Sequence, residues 1–99
     1  QSQIFFMIYI LIYMDINKLI SIVKKKLLDQ INIESIKIED KSFLHKNHSG
    51  NQEGKFHIKL IIISAELRSM NKIESIKKIY KILDDELKNF IHSIQILIS

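Results

Sequence analysis

Residues 40–64 read DKSFLHKNHSGNQEGKFHIKLIIIS, a polar segment that carries three of the chain's four histidines and runs directly into a β-branched apolar stretch. Both glycines, Gly50 and Gly54, fall in the polar part among Asn, His and Ser, so residues 41–55 read as one long connection. The run Phe56-His57-Ile58-Lys59-Leu60-Ile61-Ile62-Ile63 is nearly continuous in hydrophobicity, the pattern of a central strand covered on part of both faces. Upstream, Ile36 and Ile38 alternate with Ser35, Lys37 and Glu39, the period of a strand with one buried face. Two strands joined directly are expected to pair antiparallel.

Working outward, Ile16, Leu19, Ile20, Val23 and Leu27 recur at helical spacing over residues 15–29, with Asp15 placed to cap the helix and lysines gathered late. After Ser64 the chain turns, and Ile73, Ile76, Ile79, Tyr80, Leu83 and Leu87 mark a second helical stripe, with Lys72, Lys77, Lys78 and Lys81 largely off it. Finally His92, Ile94, Ile96 and Ile98 alternate with Ser93, Gln95, Leu97 and Ser99, a third strand that a helical crossover places parallel to the second. The predicted order is α-β-β-α-β: an α+β fold with a three-stranded mixed sheet and helices packed on one face.

Ninety-nine residues suffice for one domain with a modest core, and 46% hydrophobic with 26% charged residues is a globular composition. The absence of cysteine excludes a disulfide scaffold, a redox thiol and a cysteine zinc site of the chain's own, and it fits a cytoplasmic or organelle-matrix setting. The net charge of +4 permits contact with nucleic acid, although scattered lysines more often form a solvated face. The run Ile4-Phe5-Phe6-Met7-Ile8-Tyr9-Ile10-Leu11-Ile12-Tyr13 is about half the length a membrane span needs, and no basic residue precedes it as a secretory signal would require. Residues 1–13 are therefore expected to be an apolar extension outside the fold, with residues 14–99 as the domain and no membrane partner.

Histidine supplies the chemistry available here, since a neutral imidazole offers a nitrogen lone pair to a metal near physiological pH. Asp40, Ser42 and His45 include the residue types of a hydrolytic triad. They lie within six residues on one segment without an oxyanion-hole motif, and an Asx or Ser turn opening the loop explains them better. A KH-type RNA clamp needs Gly-x-x-Gly, whereas Gly50 and Gly54 are spaced otherwise.

In order and spacing, Asp40-Lys41-Ser42, then His45-Lys46-Asn47-His48-Ser49-Gly50, then Phe56-His57-Ile58-Lys59 running to Ile63-Ser64, then Tyr80, Leu83 and Asp85-Glu86-Leu87, then Ile91-His92-Ser93-Ile94 resemble the motifs of the BolA family. The resemblance covers essentially all of residues 14–99 and implies a core related to the class II KH fold. Where the family usually carries Arg-His-Arg on its second helix, this chain has Ser75, Ile76 and Lys77, and Ser69 replaces the family's glycine before that helix. Ile76 extends an apolar stripe, and Lys77 alone keeps positive charge.

The resemblance implies a non-enzymatic adaptor that binds a monothiol glutaredoxin and shares a [2Fe-2S] cluster with it and with glutathione, no cofactor being expected on the isolated chain, which would be a monomer or weak homodimer. His92 maps onto the family's C-terminal histidine and is the first ligand candidate. The second comes from the loop, His45 before His48. His57, Asp40 and Ser42 are assigned supporting or partner-facing roles. The alternative is a transcriptional regulator that contacts nucleic acid through Lys72, Lys77, Lys78 and Lys81.

Overall fold

The structure, a computed structural model, describes residues 3–4, 14–42 and 55–99. His45 and His48, like most of the apolar extension, lie outside the described residues. Helix α1, Ile16–Gln30, starts where Asp15 accepts a hydrogen bond from the Lys18 backbone N–H at 2.9 Å. It buries Leu19, Val23 and Leu27, spaced four apart on one stripe. Its lysines are not where the helix dipole favours them: Lys24, Lys25 and Lys26 sit mid-helix, and the last turn has no basic residue.

Strand β1, Ser35–Asp40, pairs antiparallel with β2, Phe56–Ile63, from Ser35 opposite Ile63 to Asp40 opposite Ile58. Strand β3, Ile91–Ile98, runs parallel on the other side of β2, giving the order β1-β2-β3. Ile58, Leu60 and Ile62 project from β2 into a core shared with α1 and with Ile79 and Leu83. Each fully buried aliphatic side chain of this kind contributes about 1.5–3 kcal/mol relative to exposure.

The crossover is three helices rather than one: α2, Ala65–Arg68; α3, Lys72–Ile82; and α4, Asp84–Asn89. Ser64 caps α2, accepting from the Leu67 N–H while donating to the Asn32 carbonyl, which ties the crossover to the turn before β1. Asn71 caps α3. At Leu83 the backbone (φ −97°, ψ 18°) leaves helical geometry, so the continuous stripe expected from Ile73 to Leu87 is interrupted. Within α3 the inward face is set by Ser75 and Ile79, four residues apart. Ile73 and Tyr80 lie about 100° or more around the axis from Ile79 and are 68% and 45% exposed, not core residues as the periodicity suggested. Among the described residues, no helix is long and apolar enough to cross a membrane.

Candidate functional site

The end of β2 nearest the loop meets the start of β3, and here the strand pairing slips. Phe56 faces Ile91 but His57 faces Ser93, so His92 is an extra residue with no partner across the ladder. Such a bulge re-aims side chains. Regular alternation would have set His92 on the same side as Ile94, Ile96 and Ile98. Instead His92 and Ser93 are both exposed, between the buried Ile91 and the half-buried Ile94.

The bulge brings two histidines together. The His57 and His92 rings lie 4.9 Å apart between centroids at 55° to one another, one ring buried and the other open to solvent. His57 is 3% exposed, and its Nδ1 lies 2.7 Å from Ser93 Oγ, the ring tautomer deciding which atom donates. Its backbone is held as well: the His57 N–H donates to Ser42 Oγ at 3.1 Å, and the His57 carbonyl accepts from the Lys41 N–H at 2.7 Å. Asp40 accepts in turn from the Ser42 N–H at 2.9 Å, the Asx turn read from the sequence. Asp40 and Ser42 therefore position His57, and the side of the sheet beside it forms a cavity of about 360 Å³ bounded by Lys41, His57, Lys59, Ser93 and Gln95.

The structure joins His57 to His92, two residues that sequence reasoning kept apart. It also adds Ser93, which the sequence placed in a motif without giving it a role. The signal was present in Ile91-His92-Ser93-Ile94, where two consecutive polar residues between isoleucines break the period of two, as a bulge does. Chemically, an exposed imidazole set beside a buried one is a solvent-facing nitrogen donor, and imidazole is a suitable ligand for iron. Among the described residues, no group of three or more His, Cys, Asp or Glu gathers as a metal site.

The lysines of the alternative surface do not form one stripe. Lys72 and Lys81 are nine residues apart, two and a half turns, and so point to opposite sides of α3. Lys78 pairs with Glu66 at 2.8 Å, and that contact, with a hydrogen bond from the Asn32 N–H, lowers the Glu66 pKa below the usual carboxylate value. Lys77 and Lys81 are exposed.

Comparison with known proteins agrees on one family. The family model described as BolA-like protein matches residues 27–99, beginning inside α1. The DNA-binding transcriptional regulator BolA of Haemophilus influenzae is 29% identical over 73 residues, 74% of this chain and 68% of that protein. The solved structure of BolA1 from Arabidopsis thaliana is similar with a TM-score of 0.67 at 26% identity, over 80% of this chain and 87% of that one. The BolA domain of SufE1, also from Arabidopsis thaliana, gives a TM-score of 0.65 at 26% identity, over 78% and 85% of the two chains.

Proposed function

This chain belongs to the BolA-like family, and from that premise we propose that it is a non-enzymatic adaptor that docks on a monothiol glutaredoxin and supplies histidine nitrogen to a shared [2Fe-2S] cluster. The observation that carries the reading is the exposed His92, turned out of the sheet by the bulge and set against the buried, hydrogen-bonded His57. His92 is the ligand, His57 and Ser93 fix its surroundings, and His45, with His48 as the alternative, gives the second nitrogen from the loop. The partner brings the thiolates of its own cysteine and of glutathione. Exchanging thiolate for neutral imidazole on one iron removes negative charge and raises the cluster potential. Because an imidazole must be unprotonated to bind, acid weakens the assembly.

Titrating the chain into a glutathione-loaded, cluster-bearing monothiol glutaredoxin tests this. The visible absorption and circular dichroism should change on mixing, and His92→Ala should abolish the change while leaving the thermal midpoint of the exposed site's variant close to that of the parent. An unchanged spectrum with the parent chain overturns the proposal.

The name of the Haemophilus influenzae relative supports a second reading, nucleic-acid binding. Lys77 and Lys81 would then contact phosphates, a mode that weakens steeply with salt. A gel shift across a salt series separates the two: sequence-selective retention at moderate salt, lost in a Lys77→Gln/Lys81→Gln variant, favours this second function.

A further inference from the structure

The two edges of the sheet are built differently. The β1 edge carries Lys37, Glu39 and Asp40, charges of the kind that keep an edge strand from pairing with other chains. The β3 strand, IHSIQILI, has no charged residue and no proline, and among the described residues no strand pairs with its outer side. An apolar edge without such protection is a template for a partner strand.

A cavity of about 350 Å³ opens along this edge, at the end of β3 remote from His92. Ile96, Leu97 and Ile98 all line it. Side chains of consecutive strand residues point to opposite faces, so a cavity that meets all three runs along the backbone edge itself. Its wall is Leu67 of α2, Met70 of the turn that follows and Ile76 of α3. At its rim stand Arg68 and Lys72, both exposed. Lys78, close by in the sequence, is bound to Glu66, whereas Arg68 and Lys72 have no acidic partner among the described residues. Arg68 is also the chain's one arginine, the side chain whose planar fork suits a carboxylate.

We propose that this edge is a docking site for an extended acidic peptide, which adds a strand to β3, places an apolar side chain in the cavity and sets its carboxylates against Arg68 and Lys72. A second copy of the chain is a poorer occupant, because its own β3 offers no negative charge to those cations. A nucleic-acid strand is poorer too, since no aromatic residue lines the cavity for bases to stack on. The site lies about 17 Å along β3 from His92, at the usual rise per strand residue, and does not depend on the proposed cluster chemistry.

The probe is a fluorescein-labelled peptide of about eight residues, the length of β3, with isoleucines in its middle and aspartates toward both ends, measured by anisotropy against the full chain. Controls are the same peptide with lysine for aspartate, and a labelled oligothymidylate. Saturable binding of the acidic peptide alone is expected, weakened about tenfold or more in Arg68→Gln/Lys72→Gln, as loss of a charge-assisted contact requires. Amide resonances of residues 94–98 should shift on binding. The proposal is overturned by no binding, by equal binding of the lysine peptide, by an undiminished affinity in the double variant, by shifts that spare residues 94–98, or by preference for the oligonucleotide. Sedimentation showing that the chain alone pairs through β3 also overturns it.

Discussion

Replacing Ser93 by alanine tests the bracing of the histidine pair directly. Ser93 is itself exposed, so losing its hydroxyl removes little packing, yet that hydroxyl lies 2.7 Å from Nδ1 of a histidine that is 3% exposed. A typical intramolecular hydrogen bond contributes about 1 kcal/mol net, and its loss at a buried group costs up to about 3 kcal/mol. Ser93→Ala should therefore destabilise the fold by about 1–3 kcal/mol. At about 4–8 °C per kcal/mol for a domain of this size, the thermal midpoint should fall by about 4–24 °C. Urea unfolding followed by circular dichroism gives the free energy, with two comparators. Gln95→Ala, on the same side of the sheet, should stay within about 0.5 kcal/mol, and Ser93→Thr, which keeps the hydroxyl and suits a strand, should recover most of the loss. A Ser93→Ala chain as stable as Gln95→Ala would refute the reasoning, because His57 would then be held without Ser93.

Other outcomes follow from contacts between distant elements. Glu86 on α4 is 5% exposed and meets Lys26 of α1 at 2.8 Å, so Lys26→Met leaves a buried carboxylate without its cation and should cost about 2–4 kcal/mol. The double variant Lys26→Met/Glu86→Leu should be closer to the parent than Lys26→Met in the same urea experiment. Leu60→Ala, at a fully buried position of the central strand, should cost about 2–5 kcal/mol by the same measurement. Glu66 titrates lower in the folded chain than its ordinary value of 4.5, first because of its hydrogen bond with Lys78. Its contribution is thus fully present above the unfolded value and is lost as pH falls from there through the folded one. Unfolding midpoints measured between neutral and acid pH should show a smaller acid loss in Glu66→Gln than in the parent.

The elements were legible in the sequence because their signals are local. The spacing of Leu19, Val23 and Leu27 sets the buried stripe of α1, Asp15 caps it, and the alternation at Ile36 and Ile38 marks β1. The direct run from one strand to the next also made antiparallel pairing of β1 and β2 predictable. The helical crossover was less readable. The dihedrals at Leu83 break it, and the inward face then follows from how Ile79 and Leu83 meet the sheet rather than from average periodicity, which is why Ile73 and Tyr80 ended up exposed.

For the candidate site, the sequence by itself determined the donors: four histidines, no cysteine, and His92 within a short polar interruption of an apolar run. Only the tertiary structure decided that His57 and His92, thirty-five positions apart in the numbering, stand 4.9 Å from each other. That neighbourhood depends on the register between β2 and β3, which is set by packing on the far side of the sheet, where Ile58, Leu60 and Ile62 meet Ile94, Ile96 and Ile98. With those six isoleucines and leucines in register on the core face, the one residue too many at the start of β3 has to bulge, and the residue that bulges is His92.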